Sequence, residues 1–132
     1  MRTNIKMSWT AVIAAVVICS SACKKQAAIA APVIVPVIYA DAPSYNPVVA
    51  GGEGFTCVDD VAREVLFYLR SNTFSTDTLI QNKVYGLLSF IINMQSDNGY
   101  FYNFLQQGNV INKTGITSIN QPKWWSWRAL QA

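Results

Sequence analysis

The stretch Thr56-Cys57-Val58-Asp59-Asp60-Val61-Ala62-Arg63-Glu64-Val65-Leu66-Phe67-Tyr68-Leu69 decides how this chain is read. Val58, Val61, Ala62, Val65, Leu66 and Leu69 recur at three- and four-residue intervals. That spacing gathers them on one face of an α-helix and predicts that the face is buried. Thr56 precedes the run and Asp59 stands three residues on. This is the pattern of a capping box, so the helix is expected to start near Thr56. The turn Gly51-Gly52-Glu53-Gly54 marks its entry.

Working outward, residues 77–94 predict a second helix, with Thr76 or Ser75 as its cap and Ile80, Val84, Leu87, Leu88, Ile91 and Met94 as its apolar stripe. Tyr85, Phe90 and Ile92 widen that stripe, which calls for cover on more than one side. The short connection 71–75 makes the two helices antiparallel neighbours. Ser96-Asp97-Asn98-Gly99 is a turn, Tyr100 to Leu105 reads as an extended aromatic ribbon, and a polar loop follows to about residue 121. Pro122 suits the first turn of a third helix holding Trp124, Trp125, Trp127, Arg128 and Leu130. The expected fold class is therefore all-α, built of helical hairpins with three core helices. Three Trp residues on one helix need more neighbours than about 80 residues supply, so the chain is expected to be a portion of a longer protein.

The chain opens with Arg2 and Lys6, an apolar block from Trp9 to Ile18, and the small residues Ser20, Ser21 and Ala22 before Cys23. Charge, then apolar residues, then small residues is the order of a secretory signal. A block of about ten residues is half of what a membrane-spanning helix requires. Ser20-Ser21-Ala22-Cys23 resembles the lipobox of bacterial lipoproteins, with Ser20 at the place where Leu is usual. Lipid attachment at Cys23 is the expectation, simple secretion the alternative. The resulting division is a lipoprotein signal peptide over 1–22, an Ala/Pro/Val-rich tether over 23–50, and a helical domain over 51–132. Pro32, Pro36, Pro43 and Pro47 exclude a regular helix from the tether. Its Val33-Ile34-Val35 and Val37-Ile38-Tyr39 runs favour cover from water, so it is expected to lie against the domain.

Formal net charge is +3, from ten basic and seven acidic residues. Arg2 and Lys6 leave with the signal, so the exported chain keeps eight basic residues and is close to neutral. No basic patch follows Lys24-Lys25, which argues against nucleic acid as a partner. The sequence has no His, and lipidation consumes Cys23, so no metal-ligand set is expected and no cofactor is implied. Cys57 is left unpaired and is read as a small buried apolar residue. Any catalysis must rest on carboxylates, amides, Tyr or Arg.

The run Gly52-Glu53-Gly54-Phe55-Thr56-Cys57-Val58-Asp59-Asp60-Val61-Ala62-Arg63 resembles the entry into the first core hairpin of (α/α)-toroid proteins of the six-hairpin glycosidase type. Gln95 to Phe101, of the form Q-x-x-x-G-x-F, and Trp124 to Leu130 resemble helix-end and later-helix segments of the same group. The resemblance covers residues 51–132 and implies an incomplete toroid of carbohydrate-active function, acting by glycosidic bond hydrolysis or transfer. It implies Asp60 and Asp59 as catalytic candidates at a helix end, with Trp124, Trp125, Tyr100, Asn103 and Arg63 in contact with a glycan. The same acidic residues also suit a helix N-terminus, and Asp59 suits an ion pair with Arg63. Adjacent residues project about 100° apart on a helix, so Asp59 and Asp60 do not flank one bond together. The alternative is a non-catalytic glycan-binding or structural envelope lipoprotein. In each case the partners are a glycan and, through Cys23, the membrane of a bacterial cell envelope.

Overall fold

The computed structural model describes residues 32–132, so the export signal and Cys23 lie outside the described residues. In chain order the elements are β1 (Ala40–Asp41), β2 (Asn46–Pro47), β3 (Thr56–Cys57), α1 (Val58–Leu69), α2 (Thr78–Asn93), β4 (Phe104–Gln106), β5 (Val110–Ile111) and α3 (Trp124–Gln131). A short 3₁₀ turn, Gln107–Asn109, joins β4 to β5. Strands β1 and β2 pair as an antiparallel hairpin, and β3, β4 and β5 form an antiparallel sheet in the order β3-β4-β5. The expected all-α class is thereby corrected: the described residues form a mixed fold of three helices and two small sheets.

The physical reason lies in the stretch that opened the reading. Thr56 and Cys57 are extended and pair with Leu105 and Phe104. The helix therefore starts at Val58, with Cys57 as its cap residue and no side-chain cap. Its first amides are met from another segment. The Val58 N–H donates to the Asn103 carbonyl at 2.8 Å, and the Asp59 N–H to the Asn103 side-chain oxygen at 3.2 Å. A helix start needs acceptors for its free N–H groups, and Asn103 supplies them in place of a capping box. Thr56, freed from that role, is fully buried, and its hydroxyl has no hydrogen-bond partner among the described residues.

The helices otherwise stand where the sequence places them, but Leu69 of α1 and Tyr85 and Ile92 of α2 are exposed, so α2 lacks the cover on more than one side that its wide apolar stripe predicts. Val58, Val61, Ala62 and Val65 of α1 are fully buried, facing Val84, Leu87, Phe90 and Ile91 of α2 within one core that also takes in Trp125 and Ala129 of α3. The cap of α2 is Asp77, whose Oδ1 accepts from the N–H groups of Leu79 and Ile80, rather than Thr76 or Ser75. Pro122 precedes α3 without entering it. The sequence missed the β1–β2 hairpin in the tether, and it missed β5 in the stretch read as polar loop.

Within the described residues, the part of the tether from residue 32 on lies against the domain. Its extended segment 32–38, the strap, donates from Ile34 N–H to the Gly86 carbonyl at 3.1 Å and from Ile38 N–H to the Phe55 carbonyl at 3.1 Å. Gly86 faces Ile34 so closely that a Cβ there would stand 2.5 Å from Ile34 Cγ1. Among the described residues no helix is long and apolar enough to cross a membrane.

Candidate functional site

Helices α1 and α3 meet at a cluster of four charged side chains. Asp59 is buried, at 7 % exposure, and its carboxylate bridges two guanidinium groups. Arg63 sits one turn on along α1 and takes Oδ2; Arg128 reaches over from α3 and takes Oδ1. With its backbone held by Asn103, Asp59 has no free oxygen and serves as the hub that joins α1 to α3.

Asp60 shares Arg63 with its neighbour and differs from it in exposure. Its side chain is 41 % exposed, and Arg63 approaches its Oδ1 at 3.2 Å. The Cys57 thiol donates to its Oδ2 at 3.2 Å. Burial is the main reason that the thiol pKa is pushed up to about 12, so Cys57 stays protonated and works as a donor. The expected buried, unpaired cysteine is what the structure contains, and it makes one polar contact beneath Asp60.

The aromatic candidates separate into core and surface. Trp125 is 1 % exposed and donates its indole N–H to the Phe101 carbonyl at 2.9 Å, so its ring is core and offers no face to a glycan. Trp124 is 53 % exposed and packs edge-on against Trp125. Trp127 is 55 % exposed and meets Tyr100 edge-on. Helical geometry requires this division, because consecutive residues 124 and 125 diverge while 124 and 128 share a face. Trp124 therefore lies on the same side of α3 as Arg128, the side that meets the charged cluster.

Asn103 is buried and its amide group is spent on architecture: Oδ1 accepts from Asp59 and Nδ2 donates to the Thr117 carbonyl. It positions the site and does not line it. Asn112, which matches a glycosylation acceptor in sequence, is likewise buried and donates to the carbonyls of Gly52 and Glu53. The structure thus brings together Asp59, Asp60 and Arg63 with Arg128, leaves Trp124 exposed on α3, sets Tyr100 beside Trp127, and withdraws Trp125 and Asn103 into the interior.

Sequence reasoning missed Arg128 as a partner of Asp59. The residue stands one helical turn after Trp124, a spacing that marks a shared face, but nothing in the sequence indicates that this face meets α1. Among the described residues no group of three or more His, Cys, Asp or Glu could hold a metal ion. No family model matches the chain, and no curated protein matches it.

Proposed function

We propose that this chain is an exported, lipid-anchored, carbohydrate-active protein whose glycan surface is the α1–α3 edge. The observation that carries the reading is the half-exposed Asp60 carboxylate beside the Arg63 guanidinium, with the exposed Trp124 ring on α3, the helix that Arg128 ties to this cluster. Sugars present hydroxyl groups that pair with carboxylate and guanidinium, and C–H faces that lie on an indole ring. The resemblance of residues 52–63 to six-hairpin glycosidases supports the same substrate class and a hydrolysis or transfer reaction. Lipid at Cys23 would hold this surface in the cell envelope.

A second reading, glycan binding without catalysis, is favoured by one observation. Glycoside hydrolysis generally takes two carboxyl groups on either side of the scissile bond. Asp59 is consumed by Arg63 and Arg128, which leaves only Asp60 available from this pair.

Both readings require glycan contact, and affinity electrophoresis through gels containing soluble polysaccharides measures it. The wild-type chain is expected to be retarded by at least one polysaccharide. Trp124→Ala and Asp60→Asn should each weaken that retardation about tenfold, the equivalent of roughly 1.4 kcal/mol. Wild-type migration unaltered by every polysaccharide tested would remove the glycan reading. Independently, Cys23→Ala should shift the protein out of the membrane fraction and abolish lipid labelling.

A further inference from the structure

Alternate residues of an extended chain share a face, and the strap puts its two faces to different uses. Ile34 meets Gly86 of α2 so closely that a Cβ there would stand 2.5 Å from its Cγ1. Val33 and Val35, on either side of Ile34, line a cavity of about 370 Å³. The buried side chains of Phe90 and Met94 from α2 and Leu105 from β4 form its wall, and half-buried Ile111 of β5 completes the apolar lining.

Two polar residues share that lining, Asn93 and Asn109, and both are exposed, so they mark its open side. Asn93 is the last residue of α2. Asn109 follows Gly108 in the turn from β4 to β5, and the two have left-handed backbone, with φ of 61° at Asn109 and 74° at Gly108. Asn and Gly adopt that conformation at the least cost, so the turn holds Asn109 in a set position. Among the described residues no charged side chain lines the cavity. Ligand cavities generally enclose about 300–1,000 Å³, with apolar walls and a few polar groups that fix orientation. An apolar cavity of about 150 Å³ takes one benzene ring, so this one accommodates a body about twice that size. Burial strips an ion of its hydration, and without a countercharge in the lining a charged ligand is disfavoured. A carboxamide offers both donors and an acceptor, which match a hydroxyl or an amide.

We propose that the cavity under the strap binds an uncharged alkyl compound, with its chain against the apolar wall and its hydroxyl or amide head at Asn93 and Asn109. Val33, Val35, Leu105 and Ile111 are aliphatic, and Met94 is unbranched and adaptable, which suits a flexible chain over a rigid ring. The site shares no residue with the α1–α3 edge and does not depend on the glycan reading. The strap forms one side of it and is tied down by the Ile34 N–H bond to the Gly86 carbonyl at 3.1 Å. A ligand that touches Val33 and Val35 in this seated position favours the seated strap over a detached one, so binding and strap closure are linked.

The experiment is an NMR titration of the nitrogen-labelled full chain with octan-1-ol and, separately, with octanoate, which has the same chain and a charged head at neutral pH. Octan-1-ol is expected to shift the amides of Val33, Val35, Asn93 and Asn109 along one saturable curve. It should also slow exchange of the Ile34 amide about tenfold once free ligand reaches about ten times its Kd. Octanoate should bind about tenfold more weakly. Val33→Trp fills the cavity from a position that is 47 % exposed, where the fold tolerates a larger side chain, and should abolish the octan-1-ol shifts. Asn93→Lys sets a cation at the open side, where a helix C-terminus favours one, and should bring octanoate to within about twofold of octan-1-ol. Shifts confined to residues outside the cavity, or binding undiminished in Val33→Trp, overturn the site. Octanoate bound by the wild type as tightly as octan-1-ol overturns the uncharged class, and a titration without any saturable shift overturns both.

Discussion

Helix α3 and the strap both pack on the core and are held in different ways, one on a helix flank of the molecule and one on a strap flank. On the helix flank, α3 is seated by the buried Trp125 ring, by the indole N–H bond to Phe101, and by Ser126, whose Oγ accepts from the Phe101 N–H and donates to the Gln121 carbonyl. Arg128 on Asp59 completes the set. On the strap flank, Val33 and Val37 are nearly half exposed, Ile34 and Val35 pack only partly buried against the core, and two backbone bonds tie the segment down. A cavity of about 370 Å³ opens between Val33 and Val35 of the strap and Phe90, Met94, Leu105 and Ile111. A second of about 330 Å³ lies by Val37, Val48 and Phe55. The difference teaches that buried polar contacts define a single geometry, whereas a Val/Ile run carries no marker of its register.

The sharpest way to break the helix flank is Trp125→Ala. It removes a fully buried ring and strands the Phe101 carbonyl, so a loss of about 3–5 kcal/mol is expected, read as the midpoint of urea unfolding. Trp127→Ala, on the exposed side of the same helix, should stay within about 0.5 kcal/mol of wild type. Equal losses from both would mean that α3 is covered on its outer face and that the contrast between flanks is misdrawn.

How much of this was legible before the coordinates follows from the range of each signal. Helices α1 and α2 announce themselves through four or more apolar residues at repeating spacing, and the pairing of Asp59 with Arg63 follows from a separation of one turn. The strands have two or three residues each, too few for alternation to register, and the partners of Thr56-Cys57 stand nearly fifty positions away. Thr56 and Cys57 thus passed for the start of a helix. Asn103 is implied as a ligand contact by the toroid resemblance alone; its work in meeting the first amides of α1 appears only when the ribbon folds back. Asp60, Arg63 and Trp124 were visible as chemistry, and Arg128 required the tertiary fold to bring it to Asp59.

Cys57 lies where the two flanks join, and alkaline pH tests it. The folded-state pKa of about 12 stands above the ordinary value of 9.0. Below pH 9 the folded and unfolded chains both hold the thiol proton, and the contribution to stability is complete. Between about 9 and 12 the unfolded chain releases the proton while the folded chain keeps it, so stability falls by up to about 1.4 kcal/mol per pH unit. Cys57→Ser keeps a donor for Asp60 and does not titrate in this range. Its unfolding free energy should therefore decline less steeply than wild type from pH 9 upward. Parallel declines would show that the thiol is reached by solvent, and that the junction is as loose as the strap.

A small global effect with a large local one belongs to the strap, and Gly86→Ala isolates it. Alanine in the interior of α2 is worth up to about 1 kcal/mol of helix propensity over glycine. Its methyl group would stand 2.5 Å from Ile34 Cγ1 and 2.8 Å from the Pro32 carbonyl oxygen, so the strap must move off its seat. The gain within the helix offsets the lost strap contacts, and the global unfolding midpoint should change by less than about 1 kcal/mol. The local effect is large by contrast. The Ile34 amide loses its acceptor at Gly86, so its hydrogen exchange should rise toward that of an open segment while amides within α1 keep their protection. An Ile34 amide that stays protected in Gly86→Ala would show that the cavities give the strap room to shift without detaching. The looseness of this flank would then be tolerance of displacement and not weakness of attachment.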